Sequence, residues 1–152
     1  IIVRVIKLWE VPNYINLEVI YSIELVLIHK QGSKIQESIQ KTIMQRFSNM
    51  GKEGSCRIIT KFGVVSNIGK QRATNPSYKI NFLRDCCREC EDVQIPLHGL
   101  DFTSFDKIMK NKVDDTILVD VIGEVTVIGD LVNVSKDSKP NYKLAIELED
   151  LW

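Results

Sequence analysis

The sequence predicts a mainly β chain with a small five-stranded barrel at its front, and three observations carry that expectation. Up to residue 85, short runs rich in Val, Ile, Leu and aromatic residues are separated by Pro, Gly and Asn. The apolar period then changes from alternating to helical over residues 39–50. Finally, residues 30–84 hold 11 Lys or Arg against 2 Asp or Glu, so the predicted barrel is strongly basic.

Residues 1–11, "IIVRVIKLWEV", read as a strand that Pro12 stops, with Trp9 placed in the core. Residues 12–20 read as a loop. Residues 21–29 form a second strand whose core face is Ile23, Leu25 and Leu27, with Val26 and Ile28 half covered on the other side. "KQGS" is a turn, and "KIQESIQ" (34–40) returns as the third strand. One face of it carries Ile35, Glu37 and Ile39, and the other Lys34, Gln36, Ser38 and Gln40. Glu37 therefore points into the barrel and needs a bulge or an edge with access to water. Ile39, Ile43, Met44, Phe47 and Met50 recur at helical spacing, and Gly51 terminates the run, which predicts a helix over 40–50. "SCRIITKFGVVSN" is a long strand with a bend at Gly63, "IGKQRATNPS" a basic loop, and "YKINFLR" the fifth strand. Five strands with a helix between the third and fourth is the connectivity of the OB-fold, a partly open Greek-key barrel that binds oligonucleotides across strands 2–3 and the flanking loops.

The barrel is expected over 1–85, followed by a linker with a short helix over 86–115 and an incomplete second OB-fold over 116–152. Within the linker, "DFTSFDKIMKN" reads as the helix, with Thr103 and Asp106 at capping-box spacing. "TILVDVIGEVTVIG" (116–129) and "YKLAIELEDL" read as the first strands of the second barrel. A chain that lacks an initial Met and stops at "ELEDLW" is expected to be a fragment of a longer protein.

Composition narrows the function classes. Among 152 residues, 44% are hydrophobic and 26% charged, as in ordinary soluble globular proteins. No apolar run approaches the roughly 18 residues that span a bilayer, so no membrane partner is expected. Cys56, Cys86, Cys87 and Cys90 are poorly spaced for a disulfide framework and suit a reducing compartment. Cys87 and Cys90 form one C-x-x-C with His98 downstream, but a structural zinc site needs two such pairs, so no metal is expected. "IGK" lacks the glycine pattern of a phosphate loop, and no nucleophile sits in a motif that implies a base. The chain is accordingly not expected to be an enzyme or to hold a cofactor.

The zero net charge hides a split. Residues 1–85 carry 13 basic against 6 acidic side chains, and residues 86–152 carry 7 against 14. Either the first part meets a polyanion, or the two parts neutralise each other.

"VRVIKLWEVP", "YSIELVLIHKQGSKIQESIQKTI", "SYKINF", "FTSFDKI" and "LVDVIGEV" together resemble the large subunit of replication protein A, in particular its plant-type members, over essentially the whole chain. The resemblance is to the first DNA-binding OB-fold, the link after it and the start of the second. It implies single-stranded DNA binding, largely sequence-tolerant, in DNA replication, repair or recombination, in the nucleus, with other replication protein A subunits as partners through regions absent here. In that family the third strand presents an Arg and, four residues later, an aromatic; Gln36 and Gln40 stand there in this chain. A further family aromatic, in the loop before the fifth strand, corresponds to Gln71 or Arg72. The candidate nucleic-acid-binding residues are therefore Lys34, Gln36, Ser38, Gln40, Lys61, Phe62, Lys70, Gln71, Arg72 and Lys79. The missing aromatics leave an alternative open, in which the barrel is a degenerate protein-interaction or assembly module.

Overall fold

The computed structural model describes residues 1–47, 52–69, 71–83, 87–91, 94–134 and 141–150, the side chain of Arg46 excepted. The chain divides into two compact units, Ile1–Leu100 with Asp114–Leu118, and Asp101–Val113 with Val119–Trp152. The first unit extends past residue 85, because β-pairing by residues 87–89 and packing by Ile95 join the front of the expected linker to it.

In the first unit, β1 (Ile2–Pro12), β2 (Ile20–His29) and β3 (Lys34–Gln40) form an antiparallel meander. A tight turn joins β2 to β3, with Gly32 at φ 83°, a conformation that favours a residue without a Cβ. Helix α1 (Lys41–Phe47) follows directly. The expected long strand is two strands, β4 (Cys56–Ile59) and β5 (Gly63–Ser66), with Lys61 between them at φ 53°. β6 (Tyr78–Asn81) and β7 (Cys87–Glu89) complete a sheet of order β5-β6-β3-β2-β1-β4-β7. β4 lies toward one end of this order and β5 at the other, yet they are consecutive in the chain. The sheet therefore curls round on itself, consistent with the OB-fold.

The barrel core is built from Val3, Val5, Leu25, Leu27, Ile39, Phe47, Ile59, Ile80 and Phe82. Phe47 of α1 stacks on Phe82 with ring centroids 4.9 Å apart, which packs the helix against the core at one end of the barrel. A second, smaller cluster lies on the other face of β2, where Ile28, Cys56 and Ile95 pack with Ile6 and Cys90. Arg4 fixes this layer: its Nε and Nη2 donate to the Ile95 carbonyl at 3.3 and 3.1 Å. Gly99 belongs to the same layer; a Cβ there would come 2.7 Å from Ile6 Cδ1. Ile28 is consequently buried rather than half covered, and Val26 is buried too.

In the second unit, helix α2 (Phe105–Met109) has Ser104 at its N-cap position with no side-chain cap bond, so the capping box expected from Thr103 and Asp106 does not form. The strand expected over 116–129 starts later, as β8 (Glu124–Asn133), and pairs antiparallel with β9 (Tyr142–Glu149). These two strands make a ribbon and not by themselves a barrel. Among the described residues, no helix is long and apolar enough to cross a membrane.

Lys61 occupies the left-handed region, which costs a residue with a Cβ about 1–2 kcal/mol. Lys61→Gly is expected to hold or raise stability by up to about 1 kcal/mol, and Lys61→Val to lower it by about 1–2 kcal/mol. Urea denaturation measures both; a loss on Lys61→Gly larger than on Lys61→Val would contradict this reading of the turn.

Candidate nucleic-acid interface

The outer face of the barrel is fixed by strand register. Trp9 on β1 opposes Glu24 on β2, Glu24 opposes Ser38 on β3, and Ser38 opposes Asn81 on β6. Directly opposed residues share a face, so these four form one row across the sheet. Lys7, Val26 and Gln36 form a neighbouring row. Trp9 is expected in the core as a large aromatic on a strand, and an unbroken period of two from the buried Val3 and Val5 would also turn it inward. A bulge between Val5 and Lys7 breaks that period. Leu8 therefore packs on the core, and Trp9 stands on the outer face, 37% exposed. The signal in the sequence is Lys7, a charge where the unbroken alternation would demand an inward apolar residue.

Glu24 is the hub of this face. Ser38 Oγ donates to its carboxylate at 2.6 Å, and Gln36 Nε2 donates at 3.0 Å. Ser22 Oγ donates at 3.1 Å, and Lys79 Nζ lies 3.8 Å from Glu24 Oε2 while donating to Ser38 Oγ at 2.6 Å. Gln36 Oε1 accepts from Asn67 Nδ2 and from the Ala73 backbone N–H, each at 3.3 Å. The loop before β6 is thereby drawn down over β3. Gln36 and Ser38, expected as open groove residues, are buried and engaged with protein.

The remaining candidates separate. Gln40 is exposed at the end of β3, and Lys34 is half-buried at its start. Lys61 is exposed on the β4–β5 turn, whereas Phe62 is half-buried and packs against the core. Gln71 is exposed, and Lys70 lies outside the described residues. Arg72 pairs with Asp114 at 3.3 Å and donates to Thr116 Oγ1 at 3.2 Å; backbone bonds between Arg72 and Thr116 and Leu118 add to this. Hydrogen bonds from Thr116, helped by the Arg72 guanidinium, hold the Asp114 carboxyl below the usual carboxylate range. Arg72 and the exposed Tyr78 help to wall a depression of about 380 Å³.

Of the two alternatives for the charge split, mutual neutralisation is partly realised. Arg57 pairs with Glu89 at 3.0 Å and Arg72 with Asp114, each joining the basic stretch to the acidic one. Arg4 and Arg57 are buried and unavailable to a polyanion. The C-x-x-C cysteines do not converge, since Cys87 packs on the main core and Cys90 on the second cluster. Among the described residues no group of His, Cys, Asp and Glu could hold a metal ion.

Glu37 faces the barrel interior in an unbroken β2–β3 register, without the bulge or the watery edge expected for it. Both carboxyl oxygens are buried with no hydrogen-bond partner. Burial, with a smaller contribution from the Glu24 charge, pushes its pKa up to about 9. The side chain is therefore neutral at neutral pH, which removes the cost of an unpaired buried charge. In the unfolded chain it ionises near 4.5, so folding takes up a proton between 4.5 and about 9. Stability from this group is complete below 4.5 and falls as pH rises toward 9. Relative to Glu37→Gln, the wild-type chain is expected to lose about 1.4 kcal/mol per pH unit through that window. Urea denaturation at several pH values measures it, and parallel curves for the two chains would contradict a neutral Glu37.

Comparison with known proteins agrees with this architecture. No curated protein matches the chain at a significant level. Among solved structures, it is similar to a chain of a replication protein A heterotrimer bound to ssDNA, at 21% identity and a TM-score of 0.52. The match covers 99% of this chain and 35% of that one, so the chain spans about a third of the length of its structural relative. At that identity the likeness is one of fold, a replication protein A-like OB-fold. The family model for DUF223, a domain of unknown function within the OB-fold families, matches residues 1–111, and the chain belongs to that family.

Proposed function

We propose that the first unit binds single-stranded DNA in a sequence-tolerant way, as part of a replication protein A-like large subunit acting in nuclear DNA replication, repair or recombination. In this reading the ribbon of the second unit is the opening of a further OB-fold, and other replication protein A subunits are partners through regions outside this chain. The observation that carries it is Trp9, exposed on the outer face of the sheet with Lys7 on the same strand and face. An aromatic face beside cations is what sequence-tolerant single-strand binding requires, because every base can stack and every phosphate can pair. Tyr78, beside the Arg72 depression, offers a second stacking surface. The likeness to a chain of an ssDNA-bound complex supports the reading.

A specific observation favours a second reading. Glu24 places a carboxylate at the centre of the face, and Asn67 and Ala73 hold the loop down across Gln36. A face filled in this way suits a barrel retained as an assembly module. Fluorescence anisotropy with labelled oligo-dT at low and high salt separates the two. The DNA reading requires binding that weakens steeply with salt. Trp9→Ala is expected to weaken it by about 5- to 150-fold, the range of one base–aromatic stack. Absence of binding at low salt would reject single-strand binding and leave the assembly reading.

A further inference from the structure

The end of the barrel beside α1 holds a cavity of about 880 Å³ that the DNA reading does not use. Leu8, Val19, Ile20, Ile23 and Met44 wall it, each half-buried, over a floor that includes the core residues Leu25 and Phe47. Glu10 and Glu18, both exposed, line it together with Lys41. The loop at 12–20 adjoins it through Glu18 and Val19 and carries Tyr14, Ile15 and Leu17 at 88%, 79% and 53% exposure. This loop contains no Lys or Arg. It is also internally braced. Asn13 Oδ1 accepts from the Ile15 and Asn16 N–H groups at 2.9 and 3.3 Å, Asn16 Oδ1 accepts from Glu18 N–H at 3.2 Å, and Asn13 N–H donates to the Val19 carbonyl at 2.7 Å. Exposed apolar side chains on a braced loop lose little conformational freedom when covered.

We infer that this barrel end is a docking site for a partner protein's amphipathic segment, one that inserts apolar side chains into the cavity and sets Lys or Arg against Glu10 and Glu18. Charge identifies the occupant. The residues around this barrel are strongly basic in sum, whereas the cavity and its loop present two acids and one lysine. Two acids against one lysine give a basic segment complementary charge that the rest of the barrel does not offer. The apolar interior supplies contact area that a purely electrostatic encounter would not need.

The test uses the full chain and two fluorescein-labelled amphipathic peptides, one of Leu and Lys and its counterpart with Glu for every Lys. The wild-type chain is expected to bind the Lys peptide about ten-fold more tightly, the scale of two rim ion pairs. Glu10→Lys with Glu18→Lys is expected to reverse that preference. Non-specific attraction to the basic barrel would favour the Glu peptide, so it cannot imitate the result. Methyl NMR is expected to place the shifts at Met44, Ile20 and Ile23. Ile15→Asp with Leu17→Asp is expected to abolish peptide binding, whereas Trp9→Ala, outside the cavity lining, is expected to weaken oligo-dT binding and leave peptide binding unchanged, which keeps failure of one site distinct from failure of the other. Equal affinity for the two peptides, a preference that survives charge reversal, or shifts located elsewhere would overturn the inference. So would self-association lost in Ile15→Asp, which would assign the surface to a second copy of the chain.

Discussion

The seam between β3 and β6 is two residue pairs long, Glu37–Ile80 and Ser38–Asn81, and the curled sheet depends on it. It is the parallel pairing between named strands of this sheet, between two strands far apart in sequence, and a pairing so short adds little by its own backbone bonds. Side chains on both sides reinforce it. Inside, Ile80 joins the core beside Glu37, whose protonation keeps the barrel interior uncharged. Outside, Lys79 of β6 donates to Ser38 of β3 and approaches Glu24 of β2, so three strands share one polar cluster. Pairs of this kind are charge-assisted and stronger than neutral hydrogen bonds.

This reinforcement sets the chemistry of the outer face. The groups that could have met a ligand on β3 are drawn into the cluster around Glu24. The open groups stand at its margins: Trp9 and Lys7 on β1, Gln40 at the end of β3, and Tyr78 at the start of β6. A single strand bound here would track the edges of the polar cluster. The basic total of the first unit likewise overstates the cations on offer, because Arg4 and Arg57 hold the outer layer of the barrel and Arg72 holds segment 114–118.

Two surfaces of opposite chemistry result. The outer face has cations beside aromatics, and the barrel end has acids around an apolar cavity. Under the two proposals, a nucleic acid and a basic protein segment would be drawn to different parts of one small barrel.

The alternating runs, the Gly-bearing turn before β3 and the helical period after it were sufficient to determine the meander, the position of α1 and the core faces of β2 and β3. These signals are local, since each depends on neighbours a few residues apart. The departures share one cause. A bulge after Val5 moved Trp9 from core to surface, Phe62 turned inward after a left-handed Lys61, and Glu37 remained in the core by holding a proton. Gln36 found partners 31 and 37 residues away, and Arg4 one 91 residues away. Which polar groups are filled and which remain open is decided by contacts distant in sequence, and only the folded sheet brings those partners within hydrogen-bonding reach.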